Sequence, residues 1–188
     1  MIYILRHGKT ELNKANVLQG HIDYPLNDEG VLQAGKVAEL LHDTRFDHVF
    51  SSPLVRALQT TKIVVPGKEP IIDERLIEMD YGPYDSKDLK DPTPEVKEFF
   101  SDFIHNPAPE GMESLASVVK RTCEFLNEIR TLEGNILIST HAIAMKGILE
   151  NLTPESHGSY WSKYVGNCAL YVAENRDGTI GTPSEYKQ

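Results

Sequence analysis

Short apolar runs alternate along this chain with longer segments of three-to-four-residue periodicity. Ile2–Leu5, His48–Ser51, Ile136–Ser139 and Ala169–Ala173 have the length and composition of buried strands. Between the first two, Asn27 or Asp28 is placed to cap a helix running to about His42, with Val31, Ala34, Ala38 and Leu41 on one apolar stripe. Ser52 is placed to cap the next helix, with Pro53 in its first turn. Ser114 opens another, reaching to about Arg130, and Leu115, Val118, Val119, Thr122, Leu126 and Ile129 share its face. The segment AIAMKGILENL after His141 is also helical in pattern. Strands alternating with helices predict an α/β fold: a three-layer sandwich with a mostly parallel central sheet flanked by helices.

Two stretches depart from this pattern. Gly82 to Gly111 carries Pro83, Pro92, Pro94, Pro107 and Pro109 around one short helix near Pro94–His105. It is expected to be a lid or insertion, the other reading being an ordinary connecting excursion. The tail from Asn175 to Gln188, with a turn at Asp177-Gly178, is expected to be a loosely held end. A length of 188 residues suits one domain spanning 1–188.

Charge narrows the possible partners. Nineteen basic against twenty-eight acidic side chains give a net charge of -9, with no basic run, which argues against nucleic acid and anionic membrane surfaces. The apolar stretch in MIYILRHGKTE is too short for a signal peptide or a membrane span, so a cytoplasmic protein is expected. Cys123 and Cys168 have no metal-ligand spacing around them and are expected to be buried thiols.

The candidate chemistry begins with two histidines in the same local setting. His7 follows the strand pattern ending at Arg6, and His141 follows the one ending at Thr140. Ligands of open α/β sheets bind beyond the carboxyl ends of parallel strands, so parallel pairing of these two strands would bring both imidazoles into one crevice. A helix starting after His141 would aim its free N–H groups at an anion there. Arg6 is costly to bury unless an anion or carboxylate answers it, and Arg56, on the first turns after another strand, can reach the same edge. Two arginines and two histidines on one edge of an acidic protein suit a compact dianion such as phosphate.

RHGKTELN at Arg6–Asn13 resembles the RHG motif of the histidine phosphatase superfamily, also called phosphoglycerate mutase-like. Further blocks resemble the family in order: LQGHIDYPLNDEGVLQA (18–34), SSPLVRALQTT (51–61), LIEMDYG (76–82), EGMES (110–114), ILISTHA (136–142) and the late Asn167. The resemblance implies that His7 is the nucleophile, that Arg6, Arg56 and His141 grip the phosphoryl oxygens, and that Glu78 is the proton donor, with Asp80 as a possible substitute. It also places Thr10, Asn13, Gln19 and Gly20 at the border of the phosphate or substrate and Tyr81 at the flank of the pocket. It implies metal-independent hydrolysis of a small phosphorylated metabolite through a phosphohistidine, with no metal and no cofactor. Fixed positive groups around three equatorial oxygens are what phosphoryl transfer needs.

The chain departs from the family pattern at Pro83-Tyr84-Asp85-Ser86 and at Thr140 and Ala142, which bears on the pocket mouth. Two other readings stay open. A mutase would return the phosphoryl group to a bound acceptor, but Gly82–Gly111 holds only Lys87, Lys90 and Lys97 and no arginine for a second anionic group. A catalytically silent phosphate-binding module would keep the fold and lose the chemistry.

Overall fold

The computed structural model describes residues 1–186. In chain order its elements are β1 (Ile2–Arg6), α1 (Glu11–Ala15), α2 (Asp28–Leu40), β2 (His48–Ser51), α3 (Val55–Val64), β3 (Ile71–Ile72) and α4 (Pro94–Ser101). There follow α5 (Leu115–Ile129), β4 (Ile136–Thr140), α6 (Ala142–Leu152), α7 (Ser159–Ser162), β5 (Leu170–Ala173), β6 (Asn175–Arg176), β7 (Thr179–Ile180) and β8 (Ser184–Glu185). The main sheet runs β3-β2-β4-β1-β5-β8. Its first four strands are mutually parallel; at one edge β5 pairs antiparallel with β1, and β8 pairs antiparallel with β5. The α/β architecture with a mostly parallel central sheet is therefore as the sequence pattern predicts.

Alternation along the strands sorts side chains into two cores. Ile2, Ile4, Ile136, Ile138 and Phe50 face α5 and α6, packing on Phe125, Leu126, Ile129, Met145, Ile148 and Leu149. Leu5, Leu137, Val49 and Leu170 face the other way, onto Ala34, Val37 and Leu41 of the α2 region and Val64 of α3. Each fully buried aliphatic side chain stabilises the sandwich by about 1.5–3 kcal/mol before ordering costs. Together they fix the sheet as a rigid platform.

Three local expectations are corrected. Val31 is 46% exposed, and the buried stripe of α2 is Gly30, Ala34, Val37 and Leu41 with Ala38 only half-buried. The reason is a backbone contact: a Cβ on Gly30 would lie 2.1 Å from the Lys9 carbonyl oxygen, so α2 turns its glycine toward the β1 loop. Asn27 caps the helix, its side chain accepting from the Gly30 N–H at 2.9 Å. Ser52 does not cap α3, which starts at Val55 after Leu54; its hydroxyl lies 2.7 Å from the imidazole of His141. The tail is not loose through Glu185, because β8 pairs with Tyr171 and Val172. Asp177-Gly178 forms the expected turn between β6 and β7, both residues having positive φ. The end of the tail segment, Lys187 and Gln188, lies outside the described residues.

Residues 82–111 leave the platform and return. They hold a short 3-10 turn at Gly82–Tyr84 and α4, and Val96 and Phe99 pack with Leu18, Met79, Tyr81, Met112, Val118, Ile143 and Trp161. This third cluster lies beyond the sheet, over the carboxyl ends of β1 and β4. Gly82 is required at its hinge, since φ is +52° and a Cβ there would sit 2.0 Å from the Gly111 carbonyl oxygen.

Candidate active site

β1 and β4 are parallel neighbours in register from Ile2–Ile136 to Arg6–Thr140. The next residue of each strand is a histidine, and the His7 amide donates to the Thr140 carbonyl at 3.0 Å. The two imidazole centroids are 5.1 Å apart. The coincidence seen in sequence is thus a direct consequence of strand register.

His7 Nδ1 lies 2.6 Å from the Gly8 carbonyl oxygen. A carbonyl only accepts, so Nδ1 carries the proton and Nε2 keeps its lone pair. Burial, reinforced by the positive charges of Arg6 and Arg56, holds the His7 pKa well below 6.5. The imidazole is accordingly neutral at neutral pH. Gly8 is fixed in turn: its N–H donates to Thr60 Oγ1 at 3.0 Å, and a Cβ there would meet the Gly30 carbonyl oxygen at 2.6 Å. Asn167 donates its amide to the His7 carbonyl and to Asn13 Oδ1, tying the strand exit to α1.

Arg56 is fully buried. Its Nη1 donates to the Ile22 carbonyl at 2.9 Å, its Nη2 to the Gly20 carbonyl at 2.7 Å, and its Nε to His141 Nδ1 at 3.1 Å. That last bond leaves the His141 proton on Nε2, where it donates to Ser52 Oγ at 2.7 Å. Burial and then the Arg56 charge lower the His141 pKa well below 6.5, while burial lowers that of Arg56 to about 10. Arg6 donates to the Val165 carbonyl, and its Nε is buried with no hydrogen-bond partner among the described residues.

The helix expected after His141 forms, but its first amides serve a side chain. Ile143 and Ala144 donate to Glu78 Oε1 at 3.0 and 3.1 Å, and Met79 donates to the same oxygen at 2.9 Å. The α6 N-terminus therefore orients the Glu78 carboxylate. The chain before Glu78 is held by Thr140 Oγ1, which donates to the Leu76 carbonyl at 2.7 Å, and by Arg121, which donates to the Arg75 and Ile77 carbonyls at 2.7 Å each. Glu113 pairs with Arg121 at 3.0 Å and accepts from the Asp80 N–H at 3.1 Å, which explains a block whose purpose the sequence left open.

A cavity of about 330 Å³ opens above these groups, and Arg6, His7, Asn13, Gln19, Glu78 and Tyr81 line its polar floor. Arg56 and His141 stand fully buried beside His7. Two expected border residues are displaced from the lining. Thr10 is the N-cap of α1 and donates to Gln19 Oε1 at 2.7 Å, so it positions Gln19. Gly20 offers its carbonyl to Arg56, and a Cβ there would meet Tyr81 at 2.7 Å. Asp80 points out of the cavity, its Oδ1 accepting from the Gly82 N–H, so the substitute-donor role is not supported. Both cysteines are free and half-buried, not fully buried as expected. Burial pushes the Cys168 thiol up to about 12.

The upper wall was not foreseen. Leu89, Phe100 and Phe103 come from the 82–111 segment, and Tyr164, Val165 and Lys146 complete it. Asp85 in the departing segment was also missed: its carboxylate accepts from the Gly20 and Ile22 N–H groups at 2.8 Å each, holding the loop that holds Arg56. A short carboxylate one turn after a proline is a common loop feature, so the sequence carried no sign of this use.

The fold and the site define a three-layer α/β protein with a tethered histidine pair and two arginines at the carboxyl edge of its parallel strands. The chain belongs to the histidine phosphatase superfamily (branch 1), whose sequence profile it matches over residues 2–182. It is 29% identical over 178 residues to phosphoserine phosphatase 1 of Hydrogenobacter thermophilus, covering 91% of this chain and 84% of that one. It is 30% identical over 159 residues to a protein of Yersinia pestis named "Probable phosphoglycerate mutase GpmB", covering 80% and 74%. A mutant phosphoserine phosphatase of Entamoeba histolytica, solved in complex with phosphoserine, superposes with a TM-score of 0.83 at 25% identity, covering 99% of this chain and 94% of that chain. No helix among the described residues is long and apolar enough to cross a membrane.

Proposed function

We propose that this chain hydrolyses small phosphomonoesters by way of a phosphohistidine at His7. The observation that carries the reading is the Nδ1–H of His7 locked onto the Gly8 carbonyl, which leaves Nε2 unprotonated on the floor of a cavity shared with Arg6 and Glu78. In the first step a bond forms from His7 Nε2 to phosphorus as the ester P–O bond breaks, and Glu78 passes a proton to the departing alkoxide. In the second, water attacks phosphorus, Glu78 takes its proton, and the N–P bond breaks to release phosphate. Arg6, which lines the cavity, and the uncommitted N–H groups of Arg56 are the donors for the phosphoryl oxygens, joined by the His141 Nε2–H as it exchanges Ser52 Oγ for the ester, with Asn13 and Gln19 beside them. The 82–111 segment acts as the lid, because Leu89, Phe100 and Phe103 wall the cavity from above.

The relative named as a mutase supplies the second reading. Against it, none of Lys87, Lys90 and Lys97 lines the cavity, so the lid brings no cation to retain a phosphorylated intermediate between two transfers. The protein's acidic charge supports the absence of nucleic-acid and membrane partners, and its free cysteines support a cytoplasmic location. The test is to mix the protein with a phosphomonoester, quench, and seek an acid-labile, base-stable label on His7 while following phosphate release. Label with steady release and no need of a bisphosphorylated primer is expected. Release that depends on such a primer would transfer the assignment to a mutase, and binding without label to a silent module.

A further inference from the structure

Arg56 is fully buried, yet among the described residues no carboxylate pairs with it directly. A loop stands between the two kinds of charge. Residues 20–25 form neither helix nor strand, so their backbone groups must find partners elsewhere. The carbonyls of Gly20 and Ile22 accept from the Arg56 guanidinium, and the N–H groups of the same two residues donate to Asp85 Oδ1 and Oδ2 at 2.8 Å each. Asp85 Oδ1 also accepts from the Ser86 N–H at 3.1 Å. The carboxylate thus sits one backbone layer behind the guanidinium. Its charge still reaches that far: burial lowers the Arg56 pKa to about 10, against the opposing charges of Glu78, Asp23 and Asp85. A direct ion pair would take up the N–H groups that an anion needs. Here, of the five guanidinium N–H groups, the loop takes two and His141 one, which leaves two free.

The same loop reaches the acid. His21 Nε2 lies 3.0 Å from the Glu78 carbonyl oxygen, which can only accept, so the imidazole donates to the backbone of that residue. Loop and acid segment are in contact, because a Cβ on Gly20 would sit 2.8 Å from the Met79 carbonyl oxygen. Asp23 accepts from the N–H of Val55, the first residue of α3, at 2.8 Å and so joins the loop to the helix that carries Arg56.

We propose that Asp85 and His21 are positioning residues that make the Gly20–Ile22 loop a spacer of fixed length between Arg56 and Glu78. Asp85 sets the guanidinium against the phosphoryl oxygens, and His21 sets the acid against the leaving oxygen. Neither lines the cavity, so both act through other groups. Phosphoryl transfer tolerates little misplacement, a shift of about 1 Å costing about 100-fold, and a loop without secondary structure holds that tolerance only if its own backbone groups are bonded. The inference rests on the reading of the cavity as a phosphomonoester site.

The experiment is a double-mutant cycle joined to a change of leaving group. Asp85→Ala should lower kcat/KM for p-nitrophenyl phosphate by about 10- to 100-fold, and Asp85→Asn, with one acceptor oxygen in place of two, should recover part of it. In the Arg56→Gln protein the same Asp85→Ala change should matter by less than about twofold, since the group it positions is gone. His21→Ala should slow glycerol 3-phosphate, a poor leaving group, by about tenfold and p-nitrophenyl phosphate by less than about threefold. Calorimetric binding of inorganic phosphate needs no turnover: it should weaken by about tenfold in Asp85→Ala and stay within about twofold of the wild type in His21→Ala. Equal Asp85→Ala losses with and without Arg56, or equal slowing of both esters in His21→Ala, overturn the proposal and leave the two residues as ordinary fold contacts. A wild type that binds phosphate without hydrolysing either ester defeats the hydrolytic reading alone, and unchanged phosphate binding in Asp85→Ala then overturns this inference separately.

Discussion

The two ends of one cavity are built on different principles. At the floor, each group proposed to act in the reaction is held by several further bonds: His7 by Gly8 and Thr140, Arg56 by Gly20, Ile22 and His141, Glu78 by three amides. At the roof, Phe100 and Phe103 come from a segment outside the sheet and pack mainly on one another and on Phe99, at centroid distances of 5.0 to 5.5 Å. Directional bonds on a rigid sheet fix atoms to the tolerance that phosphoryl transfer demands. Aromatic packing fixes only shape and polarity, and can be rebuilt without touching the reaction. The proposed chemistry therefore belongs to the platform, and the shape of the cavity mouth to the covering segment.

The largest expected effect is at the floor. His7→Ala should lower phosphate release by roughly 10,000-fold or more while circular dichroism and phosphate binding persist, since only the nucleophile is removed. Arg56→Gln should cost about 100- to 1,000-fold in kcat, and Arg56→Lys should recover little, because a single ammonium cannot span the Gly20 and Ile22 carbonyls and His141 together. Near-normal activity in Arg56→Lys would break the claim that this fork is a geometric device. Glu78→Gln should slow alkyl esters by about 100-fold and aryl esters with good leaving groups far less. Equal slowing across leaving groups would count against Glu78 as the acid.

Effects at the roof should be smaller and of another kind. Phe103→Ala should raise KM for organic esters by about 3- to 10-fold, leave kcat within about twofold, and leave inhibition by inorganic phosphate unchanged. A fall in kcat equal to that in kcat/KM would show the roof taking part in the transition state. The mildest expected signal is in stability against pH. His7 and His141 both have folded-state pKa values well below 6.5, so the unfolded chain takes up protons first as pH drops. Thermal midpoints should hold near neutrality and decline from about pH 6.5 down to the folded-state pKa, less steeply in His7→Asn. A midpoint that rises over that interval would contradict buried, neutral imidazoles.

Much of the floor was legible in the sequence because strand register is nearly local information. Two apolar runs of similar length, each ending on a basic residue or a threonine and then a histidine, become adjacent once the strands are parallel. Nothing comparable marked the roof. Phe100, Phe103 and Tyr164 are ordinary aromatic residues in sequence, and Lys146 falls within a helix pattern that reads as core. Thr10 and Gly20 matched border positions, yet three-dimensional packing made one a helix cap and the other a carbonyl acceptor for Arg56.

The sequence by itself determined the α/β layering and the meeting of His7 with His141. Periodicity dictates which faces are buried, and parallel pairing then carries strand ends to one edge. The tertiary structure alone decided that Asp80 turns outward, that the α6 amides hold Glu78, that Ser52 meets His141, and that Lys146 enters the cavity. Each of those depends on side-chain direction and on contacts between residues many positions apart, which no local pattern encodes.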